Sequence, residues 1–314
     1  MNITELAVMI IQVVALILIS PLITGIIRKI KALMQNKVGA SIFQPYRDLR
    51  KLMRKESVIS KNASFLFRII PLICITSMLL LAAMTPFIYT RVLAPYADVI
   101  AMVYIFTMFR FAMVLGGLEG GSTFGGMGSS REVMMSVLVE PALLISIMTL
   151  AAMTGAGFDI TDISMSIISS GALAISPALL LAGTSFIITM VAENTRVPFD
   201  NPDTHLELTM VHKGMLIEYS GKGLAIMEMA SMLRLTIFMT LLGTLFFPWG
   251  TAMTLSLADL AISVVAISVK LLVIAFGIAL LESTVAKLRV FRMPNMLTVS
   301  FALSLMAMIS LYVL

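Results

Sequence analysis

Residues Glu193–Gly221 read ENTRVPFDNPDTHLELTMVHKGMLIEYSG, and this polar stretch separates two long apolar runs. The flanking runs are Ala178–Val191 and Leu224–Phe247, and the stretch between them contains both histidines of the chain. Only 12% of all residues are charged, so ionisable side chains are concentrated here. Because charged side chains are costly inside a bilayer, apolar runs joined by such a loop indicate membrane-spanning helices with the loop at the surface.

The composition of the whole chain supports the same interpretation. Hydrophobic residues make up 59% of it and the mean hydropathy is +1.02, values above those of soluble domains. Several runs reach the roughly 20 apolar residues that a spanning helix needs. The sequence therefore predicts an all-α polytopic membrane protein, one integral membrane domain over residues 1–314 with about eight transmembrane helices. The predicted spans are Leu6–Ile27, Phe65–Tyr89, Val99–Leu118, Val133–Thr154, Ala174–Val191, Leu224–Phe247, Leu260–Leu281 and Met296–Val313.

The loops between the predicted spans alternate in charge. The first loop, residues 28–68, is strongly basic, whereas the loops on the opposite side carry few basic residues. By the positive-inside rule, the basic loop and the acidic loop 193–222 are cytoplasmic, and both chain ends lie outside the cytoplasmic membrane. No nucleic-acid-binding motif accompanies the basic charge. We therefore expect the lipid bilayer and protein subunits as partners, and no nucleic acid.

Two loop segments have a distinctive composition. Phe43–Lys55 is amphipathic at helical spacing and carries Pro45 in its first turn, which predicts a cytoplasmic helix. Such a helix either lies on anionic lipid or docks a partner protein, and the two roles are compatible. Gly116–Gly128 has seven glycines but lacks the spacing of a nucleotide-binding turn, so we expect a close-packed irregular loop there.

Several ionisable residues lie within or at the ends of the predicted spans. Such groups face a partner charge or a hydrated cavity, and several in one bundle favour a proton path over a simple ion pair. Glu140 is the strongest candidate, because the adjoining Pro141 loosens the backbone hydrogen bonding of its helix. A nearby arginine, Arg110, Arg131 or Arg234, is the expected partner charge of Glu140. The predicted coupling residues are Glu140, Glu193, Glu218, Glu228, Arg131, Arg234, Lys270 and Glu282.

The sequence does not predict a cofactor or metal site on this chain. Its only cysteine is Cys74, and an iron–sulfur cluster needs about four ligands. Any redox metal is therefore expected on another chain. His205, Glu207 and His212 do not match a short zinc-binding spacing. Surface or proton-relay roles are favoured for them.

The chain resembles the subunit that joins the membrane and peripheral arms in energy-converting hydrogenases and in respiratory complex I. The resemblance covers nearly the whole length. Its motifs lie in the first loop, around Arg131 and Glu140, and in Glu193–Gly221. The family pattern implies that residues of the first and third of these segments dock the peripheral arm. They are Gln44, Arg47, Asp48, Arg196, Asp200, Asp203, His205 and Glu207.

Departures from the complex I pattern favour the hydrogenase branch of the family. Gly39-Ala40 stands where complex I subunits have Gly-Pro, and His205 stands where they often carry a third carboxylate. Leu281–Arg289 replaces a different basic motif that ends in Tyr-Asp. The branch implied is therefore that of formate hydrogenlyase subunit 4, and ordinary quinone chemistry is not expected here.

The resemblance implies a membrane-anchor subunit that performs no redox chemistry itself. Its partners would be cytoplasmic subunits with [4Fe-4S] clusters and a [NiFe] centre, and antiporter-like membrane subunits. Electron transfer in the arm would drive movement of H+ or Na+. The alternatives are a quinone-pocket subunit of a complex I-type dehydrogenase and, ranked last, a stand-alone transporter, since no internal repeat is found.

Overall fold

A computed structural model describes residues 3–59, 63–89, 98–155, 157–170, 176–200, 210–252, 256–289 and 292–313. The described residues are mainly helical. The helices are α1 (Ile3–Met34), α2 (Gln44–Arg54), α3 (Phe65–Met84), α4 (Val99–Glu119), α5 (Thr123–Thr154), α6 (Ile160–Ser170), α7 (Pro177–Glu193), α8 (His212–Met215), α9 (Gly221–Leu245), α10 (Leu257–Thr284) and α11 (Met293–Val313).

Helix α9 forms the centre of the bundle. Every side chain from Met232 to Leu245 is buried, and α9 contacts α1, α3, α7 and α10. The threonine hydroxyls of α9 form hydrogen bonds within the helix. Thr236, Thr240 and Thr244 each donate to the backbone carbonyl four residues earlier. A helix buried on all sides in a bilayer must satisfy its polar groups in this way, because no water is available to them.

The other long helices pack around α9 in three groups. Helices α3 and α4 pair with each other, α5 and α7 both pack on α11, and α1 packs on α10. Helix α4 also packs on α5, which joins the first two groups. Helices of this kind, several of them long and apolar enough to span a bilayer, confirm the predicted class of all-α membrane protein.

Within the described ranges, seven helices are long and apolar enough to cross a membrane. The eighth predicted span corresponds to α7, whose 17 residues give a length of about 26 Å at 1.5 Å per residue. That length is close to the roughly 30 Å of the hydrocarbon core. The predicted start of this span at Ala174 lies outside the described residues.

Several helix ends differ from the predicted spans. Helix α1 continues to Met34 instead of ending at Ile27, and α3 ends at Met84 instead of Tyr89. Hydropathy marks where a helix enters the apolar layer and not where its hydrogen bonding stops, so charged final turns were missed. Helix α6 was also not predicted, although Ile160, Ile163 and Ile167 have helical spacing and are buried.

The prediction of an irregular loop at Gly116–Gly128 was wrong. Helix α4 continues to Glu119 and α5 starts at Thr123, so most of these glycines are helical. They allow close packing: a Cβ added to Gly125 would lie 2.4 Å from the Gly117 carbonyl oxygen, and one added to Gly128 would lie 2.7 Å from that of Val211. Small residues at helix contacts are typical of membrane bundles.

This close packing predicts the effect of a larger side chain. Gly128→Val should lower the unfolding free energy by about 2 kcal/mol, because overpacking a tight contact costs roughly 1–3 kcal/mol. The measurement is thermal unfolding in mild detergent. Gly126→Val is the matched control, since a Cβ at Gly126 meets no atom within 4 Å. Equal destabilisation by both changes would show that helix propensity, and not packing, is responsible.

Candidate functional site

Arg110 is the centre of a buried charge cluster inside the bundle. It lies in the middle of α4 and is only 5% exposed. Its Nη1 donates to Glu140 Oε1 at 2.7 Å, its Nη2 donates to Glu193 Oε1, and its Nε lies 3.3 Å from Glu132 Oε1. One guanidinium therefore joins three carboxylates.

The three carboxylates come from two helices. Glu132 and Glu140 lie two turns apart on α5, and Glu193 is the last residue of α7. The side chains of Glu132 and Glu193 are both 3% exposed, whereas that of Glu140 is 30% exposed. We call Arg110, Glu132, Glu140 and Glu193 the Arg110 cluster.

A second guanidinium lies close to this cluster. Arg234 of α9 is 2% exposed and stands over the ring of Phe109, with its Cζ 4.9 Å from the ring centroid. It is within electrostatic range of Glu193 and Glu132. Two guanidiniums thus face three carboxylates among the described residues. This leaves one negative charge, which a single bound proton would neutralise.

The segment that follows α7 carries charges at regular intervals, and each charge is paired. Three residues after Glu193, Arg196 Nη1 donates to Glu282 Oε1 at 3.0 Å. Glu282 Oε2 also lies 3.2 Å from Lys31 Nζ. Glu282 is buried, so α1, α10 and the segment after α7 meet at one carboxylate.

Asp200, four residues after Arg196, is buried as well. Its Oδ1 accepts from Lys287 Nζ at 2.7 Å, and its Oδ2 accepts from the Val211 N–H at 3.0 Å. The Leu288 N–H donates to the Pro198 carbonyl at 2.9 Å. Residues 196–200 are therefore fixed to the connection between α10 and α11.

The start of α9 adds a further pair of contacts. Lys213 of α8 forms an ion pair with Glu228, and His212 Nε2 lies 2.9 Å from Ser231 Oγ. Burial, together with the nearby charges of Arg234 and Lys213, lowers the pKa of His212 well below its usual value. The imidazole is therefore neutral at neutral pH.

A polar cavity of about 70 Å³ connects these groups. Its walls include Arg196 and Asp200 from the segment after α7, His212 from α8, and Glu228 and Arg234 from α9. A water molecule needs about 10–15 Å³ of such space, so the cavity has room for several. It extends from the polar loop to the second guanidinium beside the Arg110 cluster.

The Glu140 side chain faces a different space. It lines a groove of about 360 Å³ between α4 and α5, together with Tyr104, Thr107, Ser136 and Pro141. The polar cavity therefore ends at Arg234, beside the cluster, and the groove between α4 and α5 reaches the cluster at Glu140. The carboxylates of the cluster are groups that can bind a proton.

The structure places five of the eight predicted coupling residues in the Arg110 cluster or in the lining of the adjoining cavity. Glu140 and Glu193 are in the Arg110 cluster, and Arg234 and Glu228 line the adjoining cavity. Glu282 also lines that cavity, through its pair with Arg196. Their participation in coupling stays a prediction.

Three predicted coupling residues have other contacts. Arg131 donates to the Met210 carbonyl at 2.9 Å and so ties α5 to the segment before α8. Glu218 packs against Gly120 at the turn between α4 and α5. Lys270 packs against Gly243 of α9, and its Nζ is buried without a hydrogen-bond partner in the described part of the chain.

The predicted docking residues that the structure describes differ in their exposure. On α2, Arg47 is exposed, while Gln44 donates to Asp48 at 2.8 Å. Asp200 and Arg196 are not surface residues, because their side chains are sequestered by Lys287 and Glu282. Their role as docking contacts stays a prediction. Asp203, His205 and Glu207 lie outside the described residues.

Sequence reasoning missed Glu132 as a site residue. The predicted span started at Val133, which placed Glu132 in water, whereas α5 starts ten residues earlier. The sequence signal that could have identified Glu132 is its spacing of two helical turns from Glu140, which places both carboxylates on the same face of one helix. Lys31 was missed in the same way, because the first span was ended at Ile27.

No group of three or more His, Cys, Asp or Glu side chains arranged to hold a metal ion is found in the described ranges. Cys74 is buried in α3. His205 and Glu207 are not among the described residues, so the expectation that they bind no metal stays a prediction.

Comparison with known proteins gives relatives over nearly the whole chain. A family profile described as NADH dehydrogenase matches residues 6–312. Hydrogenase-4 component C of Escherichia coli strain K12 is 35% identical over 94% of this chain and 92% of its own length. Formate hydrogenlyase subunit 4 of the same strain is 32% identical over 96% of this chain and 97% of its own.

More distant relatives share part of the chain or only its fold. NADH-ubiquinone oxidoreductase chain 1 of Triticum aestivum is 27% identical over 72% of this chain and 73% of its own length. A chain in the structure of the membrane-bound sulfane sulfur reductase, an archaeal respiratory membrane complex, superposes with a TM-score of 0.79 at 18% identity. The match covers 97% of this chain and 100% of that one, and it supports the fold alone.

The geometry of the cluster predicts a large effect of removing its central charge. Arg110→Leu strands three carboxylates and should lower the unfolding free energy by about 3–5 kcal/mol, the usual cost of breaking a buried ion pair. Thermal unfolding in detergent measures this. Arg47→Leu, at an exposed position on α2, is the control and should change stability by less than about 0.5 kcal/mol. If the variants behave alike, Arg110 is not the charge that holds these helices together.

Proposed function

The chain belongs to the NADH dehydrogenase family, and on that basis we propose that it is the membrane-anchor subunit of a multisubunit energy-converting oxidoreductase of the hydrogenase or formate hydrogenlyase type. The observation that carries this is the nearly full-length identity of 35% and 32% with hydrogenase-4 component C and formate hydrogenlyase subunit 4. The identity with a complex I subunit is lower, at 27%, and covers less of the chain.

In this proposal the chain supplies anchoring and coupling, and partner subunits supply the redox centres. A cytoplasmic arm with [4Fe-4S] clusters and a [NiFe] centre docks on the side of the polar loop, and antiporter-like subunits adjoin the bundle in the membrane. The protein lies in the cytoplasmic membrane with both termini outside, as the distribution of basic residues favours. The exposed basic residues of α2, including Arg47, Arg50 and Arg54, offer the arm or anionic lipid a charged surface.

Coupling would start in the segment Glu193–Asp200. Glu193 and Arg196 are three residues apart, yet they pair with α4 and with α10 respectively. A movement or change of charge at the docked arm would therefore reach the Arg110 cluster through a short and firmly held piece of backbone. The polar cavity beside Arg234 gives protons a route along the same line.

The excess charge of the cluster would then control proton uptake. Three carboxylates face two guanidiniums, so a shift of Glu193 relative to Arg110 changes how well the remaining carboxylates are neutralised. Glu140 is the most exposed member, and we propose that it passes the change to a membrane partner covering the groove between α4 and α5. The coupled ion is H+ or Na+.

The second candidate is a quinone-pocket subunit of a complex I-type dehydrogenase, which the relationship to NADH-ubiquinone oxidoreductase chain 1 favours. Metal analysis of the complex separates the two functions. A tag on this chain allows purification of its assembly in mild detergent. We expect iron and nickel together, measured by inductively coupled plasma mass spectrometry. Iron without nickel would favour the second candidate, and neither metal would contradict both.

The coupling role of Glu140 gives a separate prediction. Glu140→Gln keeps the shape of the side chain but cannot ionise, so ion pumping per electron in sealed vesicles should fall by about a hundredfold, a typical contribution of a positioned proton-transfer group. Assembly and hydrogen turnover should persist. Pumping is measured with a fluorescent pH or sodium probe, at matched turnover.

Glu119→Gln is the matched control for this experiment. Glu119 ends α4 and forms no ion pair with a described residue. Unchanged pumping in Glu140→Gln would refute a coupling role. Loss of assembly in that variant alone would mean that Glu140 serves only as a structural partner of Arg110.

A further inference from the structure

A second cavity lies away from the Arg110 cluster, where the first loop crosses the starts of α3 and α9. Its volume is about 210 Å³. Phe67 and Pro71 of α3 and Ile226 of α9 form apolar walls, and Arg68 and Ser220 stand at the polar end. The cavity is thus amphipathic, apolar along its length and basic at one end.

The walls of this cavity are held in place by specific contacts. Ser220 Oγ accepts the Val58 N–H and donates to the Val58 carbonyl, both at 2.8 Å. The ring of Tyr219 stacks on Phe67 with centroids 4.0 Å apart, and its hydroxyl donates to the Phe67 carbonyl at 3.3 Å. The cavity is therefore a formed site and not a gap between mobile side chains.

Basic residues stand in the first turns of the two helices at this cavity. Arg68 lies in the first turn of α3 and Lys222 in the first turn of α9, and neither first turn contains an acidic residue. The N-terminus of a helix already carries partial positive charge, so a cation there is unfavourable and an anion is stabilising. Arg68 is exposed, and no described residue pairs with it. The polar end is therefore suited to an anion.

We propose that this cavity binds an anionic phospholipid, with the phosphate at Arg68 and the first part of one acyl chain between α3 and α9. A volume of about 210 Å³ is below the roughly 300–1,000 Å³ of pockets that enclose a whole small molecule. The site therefore holds only the glycerol end of the lipid. The remainder of the chain lies along the outer surface of α3, where Leu72 is exposed.

Two features exclude the simpler ligands. The apolar walls offer nothing to a free inorganic anion, and a lipid without net charge makes a weaker electrostatic contact with Arg68 than an anionic lipid does. Basic pockets at the ends of transmembrane helices are where anionic headgroups bind. The inference does not depend on the hydrogenase assignment, because it uses only the membrane location and the residues of this site.

Lipid retention by the purified complex tests the inference. The complex is reconstituted in nanodiscs of phosphatidylethanolamine with phosphatidylglycerol, re-extracted in mild detergent, and its bound lipid is quantified by mass spectrometry. We expect retention of phosphatidylglycerol, and a reduction of about tenfold in Arg68→Gln for the loss of one charge-assisted contact. Arg289→Gln removes the same charge from an exposed site after α10 that does not line this cavity, and it should retain the lipid.

A second variant keeps the charge and fills the cavity. A Cβ at Gly223 would lie 3.6 Å from Tyr219 Cδ1 and 3.8 Å from Pro71 Cγ, so the backbone tolerates a side chain there. Gly223→Leu should also lose phosphatidylglycerol while Arg68 remains. This variant decides the question if Arg68→Gln fails to assemble.

Three outcomes would overturn the inference. The first is that the wild type and both variants retain phosphatidylglycerol equally. The second is that the wild type retains phosphatidylethanolamine as well as it retains phosphatidylglycerol. The third is that inorganic phosphate displaces the lipid. Metal content of the same samples is measured independently, so a failure here is distinguishable from a failure of the proposed function.

Discussion

The buried charge of Arg110 is the constraint on which the rest of the bundle depends. A guanidinium at this depth has to be neutralised by the protein, because the bilayer offers no water or counterion. Its partners come from α5 and α7, so the relative position of α4, α5 and α7 is fixed by one side chain. The same contacts that hold these helices also hold the carboxylates proposed to take up a proton.

The segment after α7 extends this constraint to the remaining helices. Glu193, Arg196 and Asp200 follow each other at intervals of three and four residues, and their partners are Arg110, Glu282 and Lys287. Arg110 belongs to α4, Glu282 to the last turn of α10, and Lys287 to the connection that follows α10. The segment after α7 is therefore held at three points against two parts of the bundle.

The sequence predicts the membrane class and the spans well, because hydropathy follows directly from the bilayer. It also identifies Glu140 and Glu193, since a carboxylate in or beside an apolar run is conspicuous. Glu132 escaped notice because the small residues before it hide the start of α5. The pairing of Arg110 with Glu193, 83 residues away, depends on how the helices pack, which periodicity does not encode. For the same reason, the pairing of Asp200 with Lys287 was not predicted.

The three carboxylates of the cluster differ in their exposure. Glu132 and Glu193 are sealed from solvent and lipid, whereas the Glu140 side chain is 30% exposed to the groove between α4 and α5. Arg234 borders the polar cavity on the opposite approach. Of the three carboxylates, Glu140 is therefore the one that can exchange a proton with the groove. Because Arg110 contacts all three carboxylates, protonation of any one of them changes the electrostatic field at the other two.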